Sequence, residues 1–259
     1  GIFLGSGSSG SVIVGNYIGT NVTGTAALGN SSGINVSGLS ISDITIGGTT
    51  AGTRNIISGN RVHGIDIGIA YNVVVQGNFI GTDITGTLDL GNSSNGIFAS
   101  NIFGNDSHMT IGGPGAAARN LISGNGGFGI YVRDHSHGSL IQGNYIGTDI
   151  TGSVAIGNSS DGLKIESMNN QLLGNVISGN FGRGIDLNNA AQNVIQGNRI
   201  GTDASGSAGP GNNQGGLLLE GSSSFNTIGL DSNGLGTGNT IAFNANMGVI
   251  ILGNSVANS

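Results

Sequence analysis

Hydrophobic positions in this chain come in short clusters that alternate with polar ones and return at a regular interval. The clearest cluster is a Gly followed by apolar residues at alternate positions, as in "GIDI" from Gly64. Alternation over a few residues predicts a short β-strand with one buried face. The clusters begin at Gly33, Gly64, Gly96, Gly129, Gly162, Gly184, Gly216 and Gly248, with spacings of 31, 32, 33, 33, 22, 32 and 32 residues. A fixed period in this range predicts stacked repeats.

Two further clusters recur in each repeat. One is a β-branched segment that ends in Gly, such as "VVQG" from Val74, and the other is an Asn with an Ile two places later. The Ile is present in all eight copies. The Asn residues are 16, 55, 78, 120, 144, 175, 198 and 239, and the Ile residues are 18, 57, 80, 122, 146, 177, 200 and 241. Each repeat therefore predicts three short strands.

Three strands per repeat predict a coil in which each turn pairs with the next, at about 4.8 Å per rung. The expected fold is all-β, a single-stranded right-handed parallel β-helix (solenoid) of about eight rungs, because connections between parallel strands are right-handed. Equivalent Ile residues then fill the interior, and equivalent Asn residues stack and hydrogen-bond along the axis. We expect residues 1–259 to form one β-helix domain that is part of a longer chain or was processed from one.

Every second rung carries a long insert after its third strand. The inserts lie at about residues 21–32, 83–95, 149–161 and 203–215. Because the rungs between them lack such inserts, the sequence predicts gaps that form shallow grooves.

Composition narrows the possible functions. The 259 residues include 53 Gly but only 8% charged residues, and the formal charge is −6 with seven Lys and Arg. So few cations argue against nucleic acid or an anionic membrane as the partner. There is no Cys, which excludes disulfides and thiolate metal sites. No apolar run approaches the length of a membrane span.

The Asn-x-Ile column and the Gly-Ile strand starts resemble those of the pectin-lyase-like superfamily of right-handed parallel β-helices over nearly the whole chain. The long pattern "GNxIGTDxTGTxxLGN" is also similar to repeat regions of large secreted bacterial proteins. The resemblance implies an extracellular or cell-surface protein. It does not imply one activity, because this architecture hosts lyases, hydrolases, epimerases, phage spikes and adhesins.

Charge collects on the outward positions of the first strand in the middle rungs. In sugar-processing members of the superfamily the substrate groove lies along this side, which makes it the candidate site. The candidates for catalysis are Lys164, Glu166 and Asp186. The candidates for binding are Tyr131, Arg133, Asn188 and Glu220.

These residues allow three interpretations. Arg133 with Glu166, and Lys164 with Asp186, are neighbours one rung apart and can be exposed ion pairs, worth about 0–1 kcal/mol each. Glu166 and Asp186, with backbones about 8 Å apart, can be the acid and base of an inverting hydrolase. Lys164, Tyr131 or Arg133 can be the base of a lyase or epimerase. The motifs of polygalacturonases and the Arg-rich pattern of pectate lyases are absent.

Two further expectations concern ions and self-association. Asp83, Asp149 and Asp203 occupy the same place in three inserts and are weak Ca²⁺ candidates; an Asx-turn is the alternative role. We expect no other cofactor or metal. Leu218, Ile250 and Leu252 are expected to point outward as an apolar patch which, with the open ends of the coil, predicts self-association.

The leading functional hypothesis is a non-catalytic, extracellular structural or adhesin-type β-helix, which binds a glycan weakly along the outer face of the first strand. Its support is the regular repetition and the scarcity of charge. The alternative is a polysaccharide-active enzyme, a lyase, epimerase or glycoside hydrolase, with its site between Tyr131 and Glu220. In both cases the expected partner is a polysaccharide.

Overall fold

A computed structural model describes residues 1–102, 107–230, 233–253 and 258. Their regular structure consists of short parallel strands and one 3₁₀ turn at Ala51–Thr53. The chain is an all-β, right-handed parallel β-helix with three strands in each turn, so the fold class predicted from sequence is confirmed.

Three parallel sheets run along the coil, and we number them in the order in which the chain visits them. The strands of sheet 1 are Ile2–Leu4, Ile34–Val36, Ile65–Ile67, Ile97–Asn101, Ile130–Asp134, Leu163–Glu166, Arg183–Asn188, Gly215–Glu220 and Val249–Ile251. The strands of sheet 2 are Val12–Ile13, Thr45–Gly47, Val74–Gln76, Thr110–Gly112, Leu140–Gln142, Gln171–Leu173, Val194–Gln196 and Thr227–Ile228. The strands of sheet 3 are Tyr17–Ile18, Ile56–Ile57, Phe79–Ile80, Leu121–Ile122, Tyr145–Ile146, Val176–Ile177, Arg199–Ile200 and Thr240–Ile241. A further pair, Ile41–Ser42 with Ala70–Tyr71, lies between sheets 1 and 2 in the chain.

The predicted Ile column is one file inside the coil. Each Ile of sheet 3 pairs in register with the Ile of the next rung, from Ile18 with Ile57 to Ile200 with Ile241. Those between them are fully buried, and they pack with inward residues of sheets 1 and 2 in one hydrophobic core. Full burial of such a side chain stabilises the fold by roughly 1.5–3 kcal/mol.

Asn side chains join the rungs at the corners. At Asn144, the side-chain oxygen accepts hydrogen bonds from the backbone and side-chain N–H groups of Asn120, and its own amide donates to the Ile111 carbonyl and to Asn175. The file predicted from sequence, Asn16 to Asn239, makes these contacts between sheets 2 and 3.

A second Asn file lies between sheets 3 and 1, and sequence reasoning missed it. It consists of Asn30, Asn60, Asn92, Asn125, Asn158, Asn180, Asn212 and Asn244. The signal is present in the sequence, because each member follows a member of the first file by fourteen or by five residues in alternation. A shorter third file contains Asn170, Asn193, Asn226 and Asn258.

The inserts of alternate rungs lie over the outer face of sheet 3 and contact one another. Backbone N–H groups of Ile84, Ile150 and Ala204 donate to Gly24, Gly86 and Gly152 of the previous insert. Beneath them lies a second apolar layer, formed by Ile56, Phe79, Leu121, Tyr145 and Val176. The expectation of open gaps between these inserts is therefore wrong along this stack, because the inserts skip the intervening rungs and hydrogen-bond directly.

Gly147 shows why Gly follows the interior Ile. Its φ is +88°, and a Cβ there would lie 2.3 Å from the Asn180 side-chain oxygen. Any other residue would push apart the second Asn file.

Within the described residues, no helix is long and apolar enough to cross a membrane.

Candidate functional site

The longest strands of sheet 1 carry the candidate residues. Tyr131, Lys164, Asp186 and Leu218 pair in register on consecutive rungs, so their side chains form one outward column. A second column, two residues further along each strand, pairs Arg133 with Glu166, and Asn188 with Glu220. The two columns predicted from sequence are thus in the predicted register.

Lys164 lies at the centre of the cluster. Its Nζ is 2.5 Å from Oδ2 of Asp186, 3.7 Å from Oε1 of Glu220 and 3.9 Å from Oε1 of Glu166. Lys164 is only 9% exposed and Asp186 only 3%. The predicted Lys164–Asp186 pair exists, but the expectation that it is exposed is wrong. A buried pair has lost the hydration of both charges, so removing one partner leaves a costly charge behind.

Asp186 has an unusual carboxyl group. Burial raises its pKa above the ordinary value, and the hydrogen bond and charge of Lys164 offset this only in part. Oδ2 faces the ammonium, whereas Oδ1 is buried and has no hydrogen-bond partner among the described residues. An unsatisfied buried acceptor is uncommon, and it often marks a place where water or a ligand binds.

Tyr131 and Glu166 form the next contact of the cluster. The phenol O–H donates to Oε2 of Glu166 over 2.6 Å. Burial, and then the hydrogen bond and charge of Glu166, raise the pKa of Tyr131 to about 12. The phenol therefore keeps its proton at neutral pH, which disfavours Tyr131 as the base of a lyase or epimerase.

The predicted pair of Arg133 with Glu166 is wrong. Nε of Arg133 lies 2.9 Å from Oδ2 of Asp134 on the same strand, and Asp134 also accepts from the Ser100 hydroxyl. Asp134 has a φ of 56°, so the strand leaves the extended conformation at this residue and its side chain comes within reach of Arg133.

Asn188 and Glu220 complete the cluster. The Asn188 amide donates to Oε1 of Glu220 over 2.8 Å, and the same oxygen approaches Lys164. Six of the seven candidates are thus joined through direct contacts. Those six, which we call the sheet 1 cluster, are Tyr131, Lys164, Glu166, Asp186, Asn188 and Glu220.

An aromatic row lies next to the sheet 1 cluster, and sequence reasoning missed most of it. His63 stacks on Phe98 with ring centroids 4.9 Å apart, and Phe98 and Phe128 lie 5.5 and 5.1 Å from Tyr131. All four rings are half-exposed. His63 and Phe128 each precede the Gly that starts a sheet 1 repeat, so the sequence alone could have shown that the two rings occupy equivalent positions.

Asp161 precedes Gly162 and so occupies the same position one rung beyond Phe128. Sequence reasoning missed it too. It is buried, and its Oδ1 accepts from the backbone N–H of Arg183. Burial raises the pKa of Asp161, and the hydrogen bond and charge of Arg183 oppose that rise without cancelling it.

The three Asp residues of the inserts brace their own loops. Oδ1 of Asp83 accepts from the backbone N–H groups of Thr87 and Leu88, and both oxygens accept from the Thr85 hydroxyl. Asp149 has the same set of contacts, and Asp203 has an equivalent one. Burial raises the pKa of Asp83, but these hydrogen bonds outweigh it and lower the pKa overall. The described residues contain no group of three His, Cys, Asp or Glu that could hold a metal ion.

The three residues predicted to form an exposed apolar patch, Leu218, Ile250 and Leu252, differ in exposure, and one of them is buried. Leu218 is on the outward column, in register with Asp186, but is only 2% exposed. Ile250 is half-buried and Leu252 is 54% exposed. Two concave pockets of the described residues, around Tyr17 with Arg54 and around Gln142 with Gln196, lie elsewhere and have no carboxylate in their lining.

Comparison with known proteins gave similarity of structure alone. No family model and no curated protein sequence matches the chain. A mutant of the periplasmic alginate epimerase AlgG superimposes with a TM-score of 0.47 at 19% identity, over 88% of this chain and 48% of that one. The A-module of the mannuronan C-5 epimerase AlgE4 of Azotobacter vinelandii gives a TM-score of 0.48 at 14% identity, over 88% and 63%. The chain thus spans about half to two thirds of these proteins, and the identities are too low to transfer residue roles.

Proposed function

We propose that the chain recognises an extended polysaccharide along the outer face of sheet 1, from Phe98 to Glu220. The observation that carries the proposal is the sheet 1 cluster, an interlinked set of one ammonium, three carboxylates, an amide and a phenol, beside the aromatic row. Binding sites combine apolar and aromatic surface with a few fixed polar groups, which is the composition of this face. Five adjacent strands give it a length of about 20 Å.

The geometry favours recognition over hydrolysis. An inverting hydrolase keeps two carboxyl groups about 6.5–9.5 Å apart, with a water between them and the sugar. Here the Lys164 ammonium contacts Asp186 and approaches Glu166, so a cation occupies the space that the water would need. This arrangement supports the binding function of the leading hypothesis, which we propose acts outside the cell or at its surface.

A polysaccharide-active enzyme is the second candidate, and Asp186 is the observation that favours it. A carboxyl with a raised pKa and an unpartnered oxygen is suited to act as a general acid. The alginate epimerases are enzymes of this broad kind, and that fits this candidate better than a purely structural role. Because both TM-scores are below 0.5, the structural similarity is no support for an activity, and the enzymatic candidate rests on Asp186.

The test is binding to a panel of soluble polysaccharides by affinity electrophoresis, with product analysis in parallel. We expect Tyr131→Ala to weaken binding to the preferred polymer at least tenfold. Gln171→Ala, on the exposed face of sheet 2, is the matched control and should bind as the native chain does. Failure of every polysaccharide to bind would refute the proposal. Release of unsaturated or reducing ends that stops in Asp186→Asn would establish the enzymatic candidate instead.

A further inference from the structure

We infer that the polysaccharide bound by sheet 1 carries no acidic groups, and that chains with free amines bind best. This inference rests on the proposed function and names its ligand class. Three features of the face support it: its charge balance, the acceptors of its carboxylates, and the aromatic row.

The cations of this face are already engaged. Lys164 has three carboxylates around it, Arg133 is paired with Asp134, and the charge of Arg183 acts on Asp161. Five carboxylates therefore face three cations: Asp134, Asp161, Glu166, Asp186 and Glu220. A uronate or sulfated polymer would bring further negative charge to a face whose carboxylates outnumber its cations, and juxtaposed like charges reject a partner.

The carboxylates of the sheet 1 cluster keep acceptor capacity that their present contacts do not use. Glu166 and Glu220 keep 29% and 35% of their side-chain surface exposed, so both can accept further hydrogen bonds. Oδ1 of Asp186, in a side chain that is 5% exposed, has no partner among the described residues. The Tyr131 hydroxyl already donates its proton to Glu166. A matching ligand must donate, and an ammonium group offers three N–H donors and no acceptor.

The aromatic row also favours a ligand that carries a positive charge. A cation over the face of Tyr or Phe is attracted by the negative face of the ring. Tyr131 offers a half-exposed ring one rung from Glu166, and the half-exposed rings of Phe98 and Phe128 lie 5.5 and 5.1 Å from that ring. A neutral sugar can stack on these rings with its apolar side, and an amino sugar gains the attraction of the rings and of Glu166 and Glu220 in addition.

The experiment compares three oligosaccharides of equal length by calorimetry, in calcium-free buffer at a pH where sugar amines are protonated. They are a β-1,4-glucosamine oligomer, its N-acetylated neutral counterpart, and an oligouronate. We expect the amine oligomer to bind at least tenfold more tightly than the neutral one, with an advantage that shrinks in high salt. The oligouronate should not bind measurably.

Charge variants identify the residues responsible. Glu220→Gln should weaken binding of the amine oligomer several-fold more than it weakens binding of the neutral oligomer. Asp89→Asn removes the same charge from the insert over sheet 3, and should leave the preference intact. An oligouronate that binds as tightly as the neutral oligomer would overturn the inference while the proposed function stands. If none of the three binds, and no polysaccharide of the panel does, the proposed function itself fails.

Discussion

The buried pair of Lys164 and Asp186 gives the sharpest test of how the candidate site and the fold are related. In Lys164→Met the aliphatic stem is kept and the ammonium is lost, so Asp186 is left as an uncompensated charge with 5% of its side chain exposed. Its Oδ1 already has no partner among the described residues, and Oδ2 would lose its partner as well. We expect the free energy of unfolding to fall by roughly 3–5 kcal/mol at pH 7.

The loss should depend on pH in a defined direction. The pKa of Asp186 is raised by burial in the folded chain, and removal of Lys164 takes away the main influence that lowers it. The folded state therefore takes up a proton before the unfolded state does as the pH falls. The destabilisation should be largest at neutral pH and shrink as the pH approaches the ordinary Asp pKa of about 4.

The double variant Lys164→Met/Asp186→Leu is the matched control. It replaces both charges by apolar groups, as the next residue of the column, Leu218, already does. We expect it to lie within about 1 kcal/mol of the native chain or to be more stable. The assay is urea denaturation followed by far-UV circular dichroism at several pH values, compared at equal slope. A single variant within 1 kcal/mol of the native chain at all pH values would refute the reasoning, as would a double variant no more stable than the single one.

Three further predictions test the fold by the same urea assay, and each is given as a loss in the free energy of unfolding. Asn144→Ala leaves two N–H groups of the rung below without their acceptor and should cost roughly 3–4 kcal/mol; a loss below 1 kcal/mol would contradict the role of the Asn file. Asp83→Ala should cost roughly 2 kcal/mol, but Asp83→Asn much less, since Asn21 braces the first insert in the same way. Because the pKa of Asp83 is lowered, the native advantage over Asp83→Asn should be present above about pH 4 and vanish as the pH falls further. Ile146→Ala should cost about 2–5 kcal/mol, against less than 0.5 for exposed Val154→Ala.

The fold was predictable because its stabilising contacts repeat. Inward positions must be apolar on every rung, so Ile18 to Ile241 recur at fixed places and their register follows from sequence. The same logic would have found the second Asn file, whose spacing from the first alternates regularly. Repetition thus carries information about every position that must match its neighbour above and below.

The depth of the site residues and the partner of Arg133 were not predictable in the same way. Alternation gives the direction of a side chain but not what covers it, so the sequence predicts Lys164 and Asp186 to be exposed although both are buried. The pairing of Arg133 with Asp134 depends on a left-handed backbone conformation at a strand end, which the pattern does not show. The membership of the cluster, the register of its columns and the contact between Lys164 and Asp186 did follow from sequence.

The position of the charges within a repetitive chain is itself an argument for a function at sheet 1. The coil needs matching residues inside and at its corners, but it places no demand on the outward columns. Only 8% of the residues are charged, yet a Lys and three carboxylates meet on adjacent rungs, with Lys164 and Asp186 taken out of water. Leu218, on the next rung of that column, shows that an apolar residue fits there, and an apolar pair would stabilise the coil at least as well. A buried ion pair that stability does not require is best explained by what it presents to a ligand. If the double variant proves as stable as the native chain but no longer binds polysaccharide, stability and function will have been separated at this one pair.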